Sequence, residues 1–536
     1  MSLIGRVNHY QYKDLDLIIM TGLCSLTVYA QIFSLFYKVG TAALIGVFFI
    51  DAACLIFMYR DIIEWINKMK KLLFSCRLLI VVCIGLAAII MSLSAGQIYD
   101  TNLYHAQAIR WIEEYRVVPG LGNLHSRLAC NSSFFCLQAL FSFRGIIGQS
   151  LHGMNGFIMW IILSYVVCSF KFRGNKKIYA SDFVRMVVIW YYVGTSYSVA
   201  FYDVASPGTD VCTMGLVGYI VCKWIDLLEQ DRKNIAPYAY LCILGVYVAT
   251  FKLSSAMIVL LVIMPAYCLI KERKWKEIAL YIGLGVLTIA PFLARNVILS
   301  GYLVYPYPGL DLFSPDWKIP VEDAEFMKAL ITTWAQGFRD TFKMVSFSEW
   351  FPIWRENILP YDLIMQRELI IDIIAIPIAI IIGIVSGLRN KDWNFFHVTA
   401  CLIAGIVFWF FNAPTRRFGE MYLILLPAYL IGSIAKNFKF KRITTVAFVI
   451  WGGICIYHTM KDAMVKADRA YLIRSADYDY FSCQQMDFYG LTVYYPEQGT
   501  DLTGYHYFPS VPDVNILSGI ELRGDSFEDG FRVREP

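Results

Sequence analysis

The sequence predicts an all-α integral membrane protein with about thirteen transmembrane helices, and three observations carry that expectation. Of its 536 residues, 58% are hydrophobic and only 17% charged, whereas a soluble chain carries about a quarter. Apolar runs of about 18 residues or more recur along the whole chain, each long enough to cross a bilayer as a helix. Loops rich in lysine and arginine follow every second run, as the positive-inside bias requires.

In chain order the runs cover approximately 15–37, 40–58, 72–96, 151–172, 183–200, 210–228, 236–250, 253–270, 277–298, 367–388, 395–411, 418–434 and 443–458. The first lacks a small-residue cleavage site and reads as a span, not a signal peptide. Residues 236–270 form one apolar stretch, too long for one span and just enough for two short ones. "FKLSS" (251–255) marks the break. The basic loops are "YRDIIEWINKMKK", "KFRGNKK", "KWIDLLEQDRKN", "KERKWK", "RNKDWN" and "KNFKFKR", after the even-numbered spans. They put the N-terminus in the cytoplasm and the C-terminus outside. A single span over 236–270 would reverse every later loop.

This topology divides the chain into a hairpin and cytoplasmic loop (1–71), a core (72–458) and an exterior C-terminal segment (459–536). The core carries exterior loops at 97–150 and 299–366 and the turn "NAPTRRFG" at 412–419. The C-terminal segment is polar, rich in Tyr, Asp and Gly, and is expected to form a small lid or appendage. Neither a Walker sequence nor Gly-x-Gly-x-x-Gly is present, so ATP-driven transport has no support. Most of the fourteen cysteines lie inside apolar runs, where they act as small hydrophobes. No zinc-type spacing occurs, and no metal ligands are assigned. Cys130 and Cys136 are both exterior, but a helix between them presents them poorly for a bridge.

The loop at 97–150 concentrates the polar chemistry. From Asp100 to Tyr115 the pattern is amphipathic, with Leu103, Ala106, Ile109, Trp111 and Ile112 among His105, Gln107, Arg110, Glu113 and Glu114. A helix here would lie on the membrane surface with its polar side free. "VVPGLGN" ends it, and a short second helix starts at "NSSFFCLQALFSF" with Asn131 or Ser132 as cap. Asp100 would sit at the first helix's N-terminal end, where the dipole favours a carboxylate or where it merely caps. Glu113 and Glu114 are expected to be solvated. Arg416 and Arg417 share a short exterior turn, against the positive-inside bias. Lys252 sits in the break between short spans, where an unused charge is costly. Any one exterior arginine also serves as a headgroup anchor. Asp203 and Asp210 bracket "VASPGT" and read as turn and cap residues, or as an acid or metal ligand. "GYLVYPYPG" and "SPDWKIP" read as wall and lid, bringing in Tyr305, Asp311, Asp316 and Trp317.

An acid after a span, a tyrosine four residues on, an amphipathic helix, a "VVP" turn, a Gly-Asn segment and a second interfacial helix form one unit. That unit resembles the first exterior loop of GT-C glycosyltransferases, which include the aminoarabinose transferases and protein O-mannosyltransferases. The chain also resembles a family of bacterial multi-span envelope proteins sharing "DTNLYHAQAIRWI", "VPGLGNLHSR", "GYLVYP", "DWKIP" and "RRFGE"-like segments over most of 72–430. The resemblance implies an enzyme of a bacterial inner membrane that moves a sugar from a polyprenyl-phosphate carrier to a glycan, lipid or protein acceptor. Asp100 matches the family's general base. Arg416, Arg417 and Lys252 would hold the phosphate. His105, Arg110, His125, Arg127, Arg295 and Tyr305 complete the expected substrate-binding set. No cofactor is required, and a divalent metal is optional. The chain departs from the family in having Asp100-Thr101 where an Asp-Glu pair is usual, and in placing the loop after the third span instead of the first. An O-antigen-type polymerase or ligase acting on a diphosphate carrier is the alternative. A transporter or flippase would place charges deep within spans.

Overall fold

A computed structural model describes residues 14–60, 62–63, 66–67, 76–94, 98–171, 178–194, 203–231, 233–436, 450–455, 457–458, 461, 475–497 and 500–534. The helices of eight or more residues are α1 (Leu15–Phe36), α2 (Thr41–Phe57), α3 (Cys76–Leu93), α4 (Ala106–Glu114), α5 (Ser133–Leu140), α6 (Met154–Cys168), α7 (Ala180–Val193) and α8 (Asp210–Glu229). There follow α9 (Ala236–Phe251), α10 (Ile263–Lys271), α11 (Trp275–Ser300), α12 (Val321–Ala335), α13 (Phe347–Asn357), α14 (Leu363–Asn390), α15 (Asn394–Asn412) and α16 (Glu420–Ala435). Among the described residues four short strands follow: β1 (Cys483–Phe488), β2 (Leu491–Pro496), β3 (Ile520–Leu522) and β4 (Phe531–Val533).

Among the described residues, six segments are long and apolar enough to cross a membrane: α1, α8, Leu253–Lys271, α11, α14 and α15. Shorter apolar helices include α2, α3, α6, α9 and α16. The first twelve expected spans each coincide with one of these or with α7, although length and composition license crossing for six. Half of the thirteenth, 443–458, falls outside the described residues, as do most of "KFRGNKK" and "KNFKFKR".

α8 is apolar over most of its surface and is buried almost throughout, with Tyr219 and Trp224 fully enclosed and its charged residues Asp210, Lys223 and Asp226 in ion pairs. A helix of that composition belongs at the centre of a bundle, and α6, α7, α9 and α16 pack around it. α11 and α14 are more apolar still but mostly exposed, as lipid-facing helices are. α7 packs closely on α16. A Cβ on Gly432 would stand 2.8 Å from the Ala180 Cα, so only glycine admits this packing.

The apolar stretch 236–270 does break. α9 stops at Phe251, Lys252 is extended (φ −156°, ψ 128°), and a 3₁₀ run, Leu253–Val262, leads into α10 and packs back on α9. Such long 3₁₀ runs are uncommon.

α4 departs from expectation. A π-helical turn, Thr101–His105, precedes it, and its polar side is not free. The C-terminal segment lies on that side. Gln107 donates to the Tyr507 carbonyl (2.7 Å), Gly504 N to Asn102 O (2.8 Å) and Phe531 N to Pro119 O (2.9 Å). Glu113, expected in solvent, is buried and accepts from Ser150 (2.7 Å) and Tyr505. The segment is a small β-containing unit with its own core of Phe488, Val493, Val511, Leu517, Phe527 and Phe531 against Trp111 and Ile112, so the all-α expectation holds for the bundle and not for the tail. The β1–β2 hairpin turns at Tyr489-Gly490, both with positive φ, as a two-residue turn demands. Gly120 (φ 63°) also needs its missing Cβ, because one would strike the Phe531 carbonyl. Cys130 and Cys136 are unpaired thiols, and Ser132 caps α5 by accepting from Phe134 N (3.3 Å).

Candidate functional site

The break at Lys252 has a consequence at one end of the bundle. It brings together the segment after α3, the first turn of α8, Lys252 itself and the 413–418 turn, around a cleft of about 660 Å³. Much of its wall is apolar: Leu103, Phe251, Phe292, Leu330, Ile331 and Phe408. Asp100, Lys252, Arg417, Arg127 and Tyr305 supply polar atoms.

Asp100 does not cap its helix. Its Oδ2 accepts from Arg417 Nη1 at 2.8 Å. Arg417 Nε stands 3.7 Å from Asp210 Oδ2, and this buried donor has no hydrogen-bond partner among the described residues. Lys252 donates to Asp210 Oδ1. The ammonium lies 3.6 Å from the Phe418 ring centre, and the guanidinium lies 4.7 Å from Phe418 and 5.3 Å from Trp334. Two carboxylates and two cations thus alternate beside aromatic faces, an arrangement favourable to cations in a desolvated site.

The electrostatics follow from crowding. Burial works to raise the Asp100 carboxyl, but Arg417, His105 and Lys252 outweigh it and hold its pKa below the usual carboxylate range. Burial pulls the Lys252 ammonium down, against the pull of Asp210. Burial opposes the charge on Arg417, yet Asp210 and Asp100 hold its pKa above the ordinary value. Burial and the nearby Asp210 push the Asp203 carboxyl up to about 8, so it is protonated at neutral pH. Burial drives His105 down to about 4 and His125 to about 3, leaving both rings neutral.

Of the expected set, Asp100, Lys252 and Arg417 meet, and Arg127 and Tyr305 line the same cleft. The others stand elsewhere. Arg416 turns away to Asp362 (2.9 Å) and Glu420 (3.2 Å). Arg110 pairs with Glu114 (3.0 Å) beneath the Tyr505 ring. Arg295 is buried and donates to Ser34 (2.6 Å) and Asn131 (3.3 Å). His105 and His125 are enclosed, His105 against Tyr104 and Phe135, so neither presents its ring to the cleft. Asp316 and Trp317 contact the tail, where Arg523 bonds Asp316 at 2.7 Å and covers the Trp317 ring.

Asp210, which reads from the sequence as a turn or cap residue first, joins both site cations. An acid opening a span on the same side where Asp100 follows one was the available signal. Trp334 gave none, because only the fold brings α12 to the cleft. No group of three or more His, Cys, Asp or Glu is placed to hold a metal among the described residues.

A family model described as a domain of unknown function (DUF8201) matches residues 3–424, and the chain belongs to that family. No curated protein and no solved structure matches it.

Proposed function

We propose that this DUF8201 member is a membrane glycosyltransferase that moves a sugar from a polyprenyl-phosphate carrier to a hydroxyl acceptor. One observation supports the reading most: an apolar cleft carries, at one place, a carboxylate, an ammonium and a guanidinium with an unspent donor. An isoprenoid chain matches the apolar wall, and a phosphate matches the cations. Arginine donates two bonds to a phosphate at once, and Lys252 adds a point charge.

In this reading Asp100 takes the proton from the acceptor hydroxyl. The oxygen attacks the anomeric carbon as the carbon–oxygen bond to phosphate breaks, and polyprenyl phosphate leaves with the electron pair. Arg417 and Lys252 stabilise the charge that develops on it. Before substrate binds, the ion pair with Arg417 keeps Asp100 a weak base. A phosphate sharing the guanidinium weakens that hold and raises the carboxyl toward a workable range. The donor therefore activates its own base. The polymerase or ligase alternative rests on Arg127, a third cation on the cleft wall suited to a diphosphate. Competition between mono- and diphosphate polyprenyl carriers for the purified protein separates the two: preference for the monophosphate fits the first reading and preference for the diphosphate overturns it.

A further inference from the structure

The π-helical turn before α4 is held from outside itself. A π turn shifts the register of its carbonyl groups, so some of them need partners beyond the helix, and such turns are frequent at functional sites. Here the partners come from the C-terminal segment. Gly504 N donates to Asn102 O at 2.8 Å, and Thr503 Oγ1 donates to Leu103 O at 2.9 Å. The Asn102 side chain donates from Nδ2 to Asp479 Oδ2 at 2.9 Å. On the other side of Asp100, the Tyr99 hydroxyl donates to Asp501.

A further tie joins this turn to the second acid of the cleft. Thr101 Oγ1 and Ser206 Oγ are hydrogen-bonded at 2.5 Å. The loop of Ser206 is itself fixed, because Asn155 Nδ2 donates to the carbonyls of Ser206 (2.6 Å) and Gly208 (2.8 Å), just ahead of Asp210. The residues on both sides of Asp100 are therefore bound, while its carboxylate is left to Arg417 in the cleft. Thr503 and Asn102 are buried, so their bonds are made away from competing water. Among the described residues none of the tail's hydrogen bonds reaches Lys252 or the 413–418 turn. The tail holds the acid and not the cations.

We propose that Thr503, Gly504 and Asp479 are positioning residues of the cleft: the C-terminal segment grips the π turn and so fixes the Asp100 carboxylate relative to Arg417 and the reacting hydroxyl. This rests on the reading of Asp100 as the base. A reacting group has to be held to within about 0.5 Å by its supporting residues, and a displacement of about 1 Å costs roughly 10²-fold in rate. The segment is then part of the site and not an appendage to it.

Steady-state transfer by the whole protein in nanodiscs gives the first test. Thr503→Val removes the hydroxyl donor while keeping the shape, and should lower turnover roughly 10- to 10²-fold with the donor KM unchanged. Thr503→Ser restores the donor and should stay within about twofold of wild type. Asp479 is exposed, so Asp479→Ala carries the same test if Thr503→Val does not fold. Arg523→Ala frees the tail from Asp316 and should leave turnover unchanged. The second test needs no sugar. In a chain stripped of its other cysteines, Asp100→Cys puts a thiol beside Arg417, and a neighbouring cation lowers the pH at which a thiol reacts. Adding Thr503→Val should raise the midpoint of its labelling by iodoacetamide and slow labelling at pH 7 about threefold or more. Weakened donor binding with turnover intact, Thr503→Ser as damaged as Thr503→Val, or an unmoved labelling midpoint would overturn the proposal. If wild type transfers no sugar, the reading of Asp100 as a base fails, and the labelling midpoint alone decides whether the tail positions residue 100.

Discussion

Asp100 and Arg417 form an ion pair at the cleft. In the proposed reaction Asp100→Asn removes the base while keeping the side-chain shape. Transfer should fall by roughly 10²–10⁴-fold, with donor binding little changed. Arg417→Lys keeps the charge but loses the fork, so donor binding should weaken by roughly tenfold, as a lost charge-assisted bond implies. Steady-state assays at several donor concentrations separate the two effects. If both variants change only the maximal rate, Arg417 is not the phosphate ligand. The buried histidines make a different prediction. Their folded pKa values, about 4 and about 3, lie below the ordinary 6.5. As pH falls through 6.5 the unfolded chain takes up protons that the folded chain refuses. Stability is therefore held above pH 6.5 and lost as pH falls toward 4. Thermal unfolding in detergent should show this decline, and His125→Gln should make it shallower. An identical slope in the variant would contradict the assignment.

Among elements, the α7–α16 contact and the tail on α4 are the most exposed to single changes. Gly432→Val places a branched side chain against the Ala180 backbone and should cost about 1–3 kcal/mol, seen as earlier thermal inactivation. Gln107→Ala leaves the Tyr507 carbonyl without its donor, at a cost of about 1–3 kcal/mol for an unsatisfied buried group. Limited proteolysis should then release the 475–534 segment faster than in wild type; equal rates would mean that the tail is held elsewhere. These elements were unequally legible in the sequence. The apolar helices were readable because one demand, burial of long uniformly apolar segments, dominates them. The strands were not, because pieces of three to six residues without clear alternation carry little signal. The polar face of α4 was misread for a related reason: periodicity reveals that a face is polar but not that Gln107 and Glu113 are covered by a segment 400 residues away.

At the scale of the molecule, the cleft was half legible. Asp100 stood out by the pattern of the loop around it, Arg417 by its place in a short exterior turn, and Lys252 by the cost of an unused charge between short spans. Which arginine of the 416–417 pair enters the cleft depends on the twist of one turn, which no spacing reveals. Orientation has its own test. In a chain stripped of its cysteines, Tyr480→Cys should label from outside, and Arg273→Cys only after the membrane is permeabilised; labelling of both from one side would remove the exterior placement of the cleft. The most direct test of the central claim offers purified protein in nanodiscs a panel of polyprenyl-phosphate sugars and measures release of polyprenyl phosphate. Release is expected with at least one sugar, dependent on an acceptor hydroxyl and lowered roughly 10²–10⁴-fold in Asp100→Asn. Release that persists unchanged in Asp100→Asn, or no release and no donor binding across the panel, would contradict it.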